Sequence, residues 1–232
     1  MVEFTEDRIL GGKIKLFQPK DGYRVAIDPI ILASFINPQP GQKILDVGCG
    51  VGTISLILKM KETLSEVTAV DIDEKMCEIC QRNSEANSLK IEIINLGIES
   101  SALEHRLFDQ IATNPPFFEK KSARISRSKE LANFETIDLV DWIAFCFKRL
   151  KNGGIFSIIH RASRLGDILR ILKNLAGAVQ ITPIFPKNNC EASRVVVCAK
   201  KSCRSETKIL PGIVVHNDNC SYSDVVCKIL EG

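Results

Sequence analysis

The tetrapeptide Asn114-Pro115-Pro116-Phe117 is the stretch of the sequence best suited to chemistry on a planar amino group. A proline disfavours helical geometry in the residue before it, so Asn114 and Pro115 are expected to be extended. Neither proline has an N–H group, so the stretch offers mainly hydrogen-bond acceptors. The Asn114 side chain and the Pro115 carbonyl can accept both hydrogens of an NH2 group, and Phe117 can stack on the ring that carries it.

Acceptors of this kind make a poor nucleophile reactive. The lone pair of the exocyclic nitrogen of adenine is delocalised into the ring, and two acceptors on its hydrogens favour the pyramidal transition state in which charge develops. This is electrostatic preorganisation, and it requires neither a metal ion nor a general base. The alternative is that Asn-Pro-Pro is only a turn after a strand, as it is in most proteins.

A glycine-rich loop earlier in the chain predicts a nucleoside site. Residues 43–47 have the pattern of a short buried strand, and Gly48-Cys49-Gly50-Val51-Gly52 follows directly, ahead of a helical run. Glycines there permit a tight turn and let a ligand approach the backbone closely. A dinucleotide fingerprint would need its last glycine one position later, where this chain has Thr53.

The strand predicted after the loop ends in a carboxylate, Asp71, roughly 20 residues beyond the loop, where an acid can accept both hydroxyls of a ribose. Alternatively, Asp71 or Asp73 simply caps the helix that begins near Glu74. Loop and acid together indicate a nucleoside site without a pyrophosphate clamp.

With these motifs in this order, the chain resembles the class I S-adenosylmethionine-dependent methyltransferases that modify amino nitrogens. The resemblance implies a Rossmann-like α/β fold, S-adenosylmethionine as cofactor, and catalysis by Asn114, Pro115 and Phe117. The residues that it implies for cofactor binding are Asp46, Gly48, Cys49, Gly50, Asp71, Ile72, Ile98 and Asn114. Many such enzymes carry an acid after the third strand, whereas this chain has Leu96-Gly97-Ile98. The cofactor adenine is therefore expected to rely on backbone groups and the Ile98 side chain.

A narrower resemblance covers nearly the whole chain. Residues 18–24, 27–33, 160–165, 186–187 and 210–223 are similar to segments of the bacterial tRNA(Val) adenine-N6-methyltransferase family. Enzymes of that family methylate the adenine beside the anticodon on its 3′ side, which implies a tRNA anticodon loop as the partner. Bases in such a loop are already partly unstacked, so turning one out costs less than in a duplex.

Three other functions remain open. A release-factor glutamine N5-methyltransferase uses a similar tetrapeptide, because a side-chain amide is also a planar NH2 group, and a ribosomal RNA guanine-N2 methyltransferase fits the same motif. A cofactor-binding module that docks on RNA or protein without catalysis is disfavoured by the presence of Asn114 and Phe117.

Basic residues follow the tetrapeptide closely. Lys120, Lys121, Arg124 and Arg127 are predicted to hold the phosphates that flank a flipped base, with an affinity that falls steeply with salt. The alternative is a solvated loop. The net charge of +3 is too small to identify a nucleic-acid binder from the total alone.

Composition favours one globular domain in a reducing compartment. The chain has 232 residues, 45% hydrophobic and 25% charged, so we expect a single domain, with residues 1–40 as a substrate-side extension and 41–232 as the catalytic core. Nine cysteines without a regular framework favour free buried thiols, and no metal site is expected. The sequence shows neither a secretory signal nor an apolar run of about 20 residues, so a cytoplasmic protein without membrane contact is expected. Its oligomeric state is not indicated.

Alternating strands and helices must position these motifs. The predicted strands are residues 43–47, 66–70, 91–95, 110–113 and 154–160, the helices 29–36, 53–60, 74–87, 139–150 and 164–175, and a closing antiparallel pair 178–185 and 194–200. This order predicts a mostly parallel sheet with an antiparallel C-terminal hairpin and helices on both faces. Both motifs follow strands, so they are expected to meet at the carboxyl edge of the sheet.

Four other side chains have open or structural roles. His160 ends a predicted strand at that edge and is expected to be a hydrogen-bonded structural residue. Trp142 lies in a helical apolar pattern and is expected in the core. Tyr23 and Arg24 either close over the cofactor, touch RNA, or lie in an exposed turn.

Overall fold

The strands and helices that the sequence predicts form the centre of the computed structural model, which describes residues 4–20, 26–116 and 138–232. The strands are β1 Phe4–Ile9, β2 Ile14–Pro19, β3 Lys43–Val47, β4 Glu66–Asp71, β5 Glu92–Asn95, β6 Phe108–Thr113, β7 Leu150–Arg161, β8 Ala176–Lys187, β9 Arg194–Lys201, β10 Lys208–Ile209 and β11 Ile213–His216. The helices are α1 Asp28–Ser34, α2 Thr53–Lys61, α3 Glu74–Ala86, α4 Leu139–Arg149, α5 Leu165–Leu172 and α6 Asp224–Glu231, with a single 3-10 turn at Ala162–Arg164.

The main sheet has the order β10-β8-β9-β7-β6-β3-β4-β5, and β11 also pairs with β8. Strands β3 to β7 are parallel to one another, whereas β9 runs antiparallel between β7 and β8. The predicted mostly parallel sheet with an antiparallel C-terminal hairpin is thereby confirmed.

Helices cover both faces of the sheet. Successive strand residues point to opposite faces, so Ile44 contributes to one apolar cluster and Leu45 to the other. The first cluster contains the buried faces of α1, α2 and α3, and the second contains those of α4 and α5. The strands are buried on both sides, as parallel strands between helices must be.

The chain changes direction in the sheet beside β3. From β3 it proceeds outward to β4 and β5, and then returns to place β6 on the other side of β3. Such a switch point opens a crevice at the carboxyl ends of the two central strands. Val47, the last residue of β3, is in register with Thr113, the last residue of β6. The residues that follow, Gly48 and Asn114, therefore start side by side.

An N-terminal hairpin, β1 with β2, was not predicted from the sequence. It docks on α3 through two asparagines one helical turn apart. Asn83 accepts from the Phe17 N–H (2.7 Å) and donates to the Phe17 carbonyl (3.0 Å). Asn87 makes the same pair of bonds with Lys15, at 2.8 and 2.7 Å. The two amides thus occupy the backbone groups of β2 as a neighbouring strand would.

The C-terminal part adds structure outside the predicted elements. Lys208–Ile209 pair with β8 as a short parallel strand, which the sequence pattern did not predict. The following strand β11 leads to α6, whose first turn is capped by the Ser223 side chain. No helix in the described parts of the chain is both long and apolar enough to cross a membrane.

Candidate active site

The glycine loop joins β3 to α2 in a conformation that glycine favours. Gly48 and Gly50 have φ angles of 72° and 53°. The N–H groups of Gly48 and Cys49 donate to the Val70 carbonyl at 2.9 and 3.0 Å, which fixes the loop against the end of β4. A Cβ atom on Gly50 would meet no atom within 4 Å, so this side of the loop is open. A ligand can approach the backbone there.

The carboxylate of Asp71 connects the loop to the next strand. One oxygen accepts from the Gly50 N–H (2.8 Å) and the other from the Asp73 N–H (3.0 Å). Each oxygen keeps capacity for a further hydrogen bond, which is what two ribose hydroxyls require. Asp73 caps α3 by accepting from the Lys75 N–H (2.9 Å), so the alternative that Asp71 is the helix cap is wrong. Burial raises the pKa of Asp71.

Two apolar side chains predicted to contact the cofactor lie beyond Asp71. Ile72 is 46% exposed although it directly follows the strand. A Cβ atom on Gly97 would lie 3.2 Å from the Ile72 side chain, so the ends of β4 and β5 meet at this point. Ile98 is partly buried and packs against the second apolar cluster. An apolar surface therefore lies beside the acid.

Asp46 is fully buried below the loop. Its Oδ2 accepts from the Ser55 N–H (3.1 Å) and hydroxyl (2.7 Å), whereas its Oδ1 has no hydrogen-bond partner among the described residues. Burial raises the pKa of Asp46 to about 7, against the hydrogen bonds from Ser55 and with a further contribution from the Asp71 charge. A buried acceptor without a partner is costly and is suited to a polar ligand.

A chain of hydrogen bonds connects the tetrapeptide with the glycine loop. The Thr113 hydroxyl donates to the Val47 carbonyl (2.7 Å) and accepts from the Trp142 indole N–H (2.9 Å). The same Trp142 ring would lie 3.0 Å from a Cβ atom on Gly48. Trp142 is in the core as predicted, with 8% exposure, but its bond to Thr113 was missed. The only available signal was that Trp142 is the single tryptophan of the chain.

The tetrapeptide begins at the carboxyl end of β6, beside the glycine loop, where the two motifs were expected to meet. Asn114 is half-buried, and its Oδ1 is shielded from solvent and has no hydrogen-bond partner among the described residues. Pro115 is buried and Pro116 is exposed. Phe117, the predicted stacking residue, lies outside the described residues. So do the predicted phosphate-binding residues Lys120, Lys121, Arg124 and Arg127, together with Tyr23 and Arg24.

The described residues fit S-adenosylmethionine, the cofactor that the resemblance implies. Asp46 and Asn114 each present a buried acceptor oxygen that has no partner in the described parts of the chain. Gly50 leaves the loop open, and Asp71 retains lone pairs for ribose hydroxyls. These features favour a ligand with N–H or O–H donors at the switch point. The individual cofactor contacts remain predictions.

Cysteine and histidine side chains near the site have structural environments. Cys49 is buried, and the adjacent Cys80 thiol together with burial raises its pKa, so the thiol stays protonated. His160 is buried and accepts from the Arg161 N–H through Nδ1 (2.9 Å). Burial and the charges of nearby arginines lower the pKa of His160 to about 4, so it is neutral at pH 7. Within the described residues no cluster of acidic, histidine and cysteine side chains can hold a metal ion.

Comparison with known proteins identifies a family. Residues 26–180 match the methyltransferase small domain. A relative from Glaesserella parasuis serovar 5, a tRNA1(Val) (adenine(37)-N6)-methyltransferase, is 28% identical over 138 residues, which are 59% of this chain. The alignment spans 58% of that relative, less than two thirds of its length.

Solved structures share the fold. A predicted O-methyltransferase from Agrobacterium tumefaciens superimposes with a TM-score of 0.72 at 22% identity, over 87% of this chain and 94% of that one. A 16S rRNA N2 methyltransferase of T. thermophilus, in complex with AdoMet and guanosine, gives 0.63 at 24% identity, over 87% of this chain and 51% of that one. At these identities the likeness shows the fold.

Proposed function

The chain belongs to the methyltransferase small domain family, and from this we propose that it transfers a methyl group from S-adenosylmethionine to the N6 amino group of an adenine in a tRNA anticodon loop. The similarity to tRNA1(Val) adenine-N6-methyltransferases supports tRNA(Val) as the substrate. An enzyme with this substrate works in the cytoplasm, where tRNA is modified.

One observation carries the proposal, the 2.7 Å hydrogen bond from the Thr113 hydroxyl to the Val47 carbonyl. It joins the last residues of β6 and β3, so the tetrapeptide and the glycine loop leave the sheet next to each other. A methyl donor held by the loop is then adjacent to acceptors that can hold an amino group. Positioning two reactants in this way supplies a large part of a rate enhancement.

The proposed reaction is a direct displacement. When bound, S-adenosylmethionine would supply a methyl group on a sulfonium for transfer to the adenine nitrogen, with the carbon–sulfur bond as the one to be broken. Asn114 Oδ1 and the Pro115 carbonyl accept hydrogen bonds from the two N–H groups of the amine and stabilise the positive charge that develops on the nitrogen. One of these protons then passes to water. Phe117 stacks on the adenine ring.

The cofactor site of the proposal comprises the loop and its neighbours. The loop backbone, Asp71, Ile72 and Ile98 would hold the nucleoside, and Asp46 would accept from a donor of the methionine part. The full set is Asp46, Gly48, Cys49, Gly50, Asp71, Ile72, Ile98 and Asn114. Lys120, Lys121, Arg124 and Arg127 would contact RNA phosphates. We propose residues 41–232 as the catalytic core and 1–40 as a substrate-side extension of the same domain.

Replacement of Asn114 by Ala tests the chemistry. We expect turnover to fall by about 100- to 1,000-fold, the usual effect of removing one transition-state hydrogen bond. The binding of S-adenosylmethionine, measured by calorimetry, should be weakened much less. Asn152→Ala is the matched control, because Asn152 is an exposed asparagine of β7, far along the strand from its carboxyl end.

A labelling experiment distinguishes the candidate substrates. The protein and labelled S-adenosylmethionine are incubated with separate tRNA, ribosome and release-factor pools, and labelled RNA is digested to nucleosides. Label in N6-methyladenosine of tRNA supports the proposal. Label in ribosomal guanosine or in a release factor would assign one of the alternative substrates. Full turnover by the Asn114 variant would contradict the catalytic assignment.

A further inference from the structure

The carboxyl edge of the sheet continues past Asn114 as a row of basic side chains. Ile158 of β7 is in register with Thr113, so His160 and Arg161 extend beyond the start of the tetrapeptide on the next strand. Arg161 pairs in turn with Arg194, the first residue of β9. Lys187, the last residue of β8, is exposed at the same edge. Among the described residues, this edge includes the cations Arg161, Arg164, Lys187 and Arg194.

Ion pairs fix two arginines of this row, and the arginine side chains nevertheless stay partly accessible to solvent. Arg194 binds the buried Asp28 of α1 (2.9 Å), and Arg164 binds Asp167 (2.7 Å). Arg161, Arg164 and Arg194 are all partly exposed. Glu191 is the acidic residue of the turn between β8 and β9.

The buried His160 lies close enough to the arginines of this row for their charges to act on its imidazole. Its pKa is lowered to about 4, first by burial and then by the positive charges of Arg164, Arg161 and Arg194. The charges of these three arginines therefore all act at one position of the edge. An edge of positive potential beside the reacting atoms favours an anionic ligand.

An aromatic pair lies at the far end of the row. The rings of His216 and Tyr222 stack with centroids 5.0 Å apart and an interplanar angle of 19°. His216 ends β11 in register with Lys187, and Tyr222 is 42% exposed. Four strand spacings of about 4.8 Å separate β6 from β11, so the aromatic pair lies about 19 Å across the sheet from the end of β6. A basic track with a stacking face suits single-stranded nucleic acid.

We propose that the edge formed by Arg161, Arg164, Arg194, Lys187 and Tyr222 binds the backbone phosphates and one unstacked base of the substrate RNA, on the side of the target adenine away from the cofactor loop. This inference rests on the proposed function, because it takes RNA as the substrate. It assigns RNA contacts to described residues outside the predicted basic segment after the tetrapeptide.

The charge contribution is tested with the double variant Arg161→Gln/Lys187→Gln. The matched control is Lys200→Gln/Lys208→Gln, which removes two exposed lysines of β9 and β10 away from this edge. Binding of a tRNA anticodon stem-loop is followed by fluorescence anisotropy between low and high salt. Each lost phosphate contact lowers the slope of log K against log salt by about 0.7 to 0.9, so the double variant should lose about 1.4 to 1.8. The control should keep the wild-type slope.

Two further variants keep the test decisive if the double variant does not fold. Lys187→Glu changes a single exposed side chain and should also lower the slope. Tyr222→Leu should weaken binding about five- to a hundredfold without changing the slope, because stacking involves no counterion release. Calorimetry should give an unchanged S-adenosylmethionine affinity for each variant.

The outcomes separate this inference from the proposed function. If the wild-type protein methylates tRNA but the variants retain the control's slope and affinity, the edge does not bind RNA and the inference is overturned. If the wild-type protein neither binds nor methylates RNA, the proposed function fails and the inference fails with it.

Discussion

At the scale of single residues, Asp46 is a carboxylate held completely out of contact with solvent. Ser55 satisfies one carboxylate oxygen, and the other has no partner among the described residues. Burial of this kind favours the protonated form, which is why its pKa rises to about 7. The acid is therefore set to change its charge near neutral pH, and a cationic group of a bound cofactor would favour the ionised form.

The pKa of Asp46 predicts a specific pH dependence of stability in the cofactor-free protein. The pKa is raised from its usual 3.8, so the folded protein binds this proton more tightly than the unfolded chain does. Its contribution to stability is present at low pH and is lost as the pH rises from about 4 to about 7. Asparagine does not ionise. The unfolding free energy of Asp46→Asn minus that of wild type should thus increase over this range, by at most about 4 kcal/mol.

Urea unfolding at intervals from pH 4 to pH 8 measures this difference. Asp109→Asn is the control that should show no such trend. Burial alone would raise the pKa of Asp109, but its hydrogen bonds from Lys151 and the Lys43 N–H, together with their charges, lower it below 3.8. The stability that this carboxylate contributes is therefore already present at pH 4, and the difference for Asp109→Asn should stay nearly constant from pH 4 to pH 8. A difference for Asp46→Asn that stays constant from pH 4 to pH 8 would contradict the assigned ionisation.

At the scale of secondary structure, α3 is the element that connects the N-terminal hairpin with the cofactor loop. Asn83 is completely buried and donates to the Val51 carbonyl of the loop (2.9 Å) as well as bonding both backbone groups of Phe17. Arg82, the preceding residue, stacks its guanidinium on the Phe17 ring at 3.9 Å. The hairpin and the loop therefore share one side chain of α3.

Asn83→Ala should lower both stability and cofactor affinity. The substitution leaves the backbone groups of Phe17 and the Val51 carbonyl without their partner, at a cost of about 2–4 kcal/mol in unfolding free energy. Because Val51 belongs to the glycine loop, S-adenosylmethionine should also bind more weakly. Denaturant unfolding and calorimetry measure the two effects.

Asn87→Ala is the matched control for this prediction. Asn87 bonds Lys15 in the same way but at a more exposed position, and it makes no bond to the loop. It should cost only about 1 kcal/mol and leave cofactor affinity unchanged. Equal losses of cofactor affinity in the two variants would show that the hairpin as a whole, and not the Asn83 bond, supports the loop.

Elements that show an apolar pattern within one short segment could be predicted from the sequence. Contacts between segments far apart in the chain could not. The strand at 43–47 and the glycine loop follow from an apolar run and consecutive small residues. The N-terminal hairpin could also have been predicted, because its turn Leu10-Gly11-Gly12-Lys13 contains two consecutive glycines, which are typical of a β-hairpin turn. The bonds of Asn83 and Trp142 join residues far apart in the chain, and no periodicity reports such pairs. Tertiary pairing alone likewise explains the short strand at Lys208–Ile209.

At the scale of the whole molecule, the residues proposed for the cofactor and those proposed for RNA lie on opposite sides of the switch point in the sheet. The strands on one side of β6, namely β3, β4 and β5, carry the loop, Asp71 and the apolar surface proposed for the cofactor. Those on the other side, namely β7, β9, β8 and β11, carry the basic row proposed for RNA. Asn114 follows the strand between the two halves, which is where the proposed function requires the amino group of the base to be held.

The nine cysteines can be used to probe this architecture. All nine are free thiols, and their burial differs from one part of the fold to another. Cys49, Cys77, Cys80 and Cys146 are buried, whereas Cys190, Cys220 and Cys227 are exposed. Burial raises the pKa of Cys77 to about 11 and also that of Cys198, which lowers their thiolate fraction. Cys203 is partly exposed, and hydrogen bonds with Ser205 lower its pKa.

Thiol modification should therefore divide the cysteines into a fast and a slow group. Because the thiolate is the reacting form, Cys190, Cys203, Cys220 and Cys227 should react rapidly with an aromatic disulfide reagent, and the other five should react only as the protein opens. Peptide mapping of the time course identifies each site, and guanidinium should make all nine react. S-adenosylmethionine should further slow Cys49, which belongs to the loop, and Cys80, which packs against Gly52 of the loop. It should leave the control Cys146 unaffected, since Cys146 faces the other cluster. Rapid modification of Cys146 in the native protein would contradict the packing of α4 against the sheet, and unchanged rates at Cys49 with saturating cofactor would place the cofactor elsewhere.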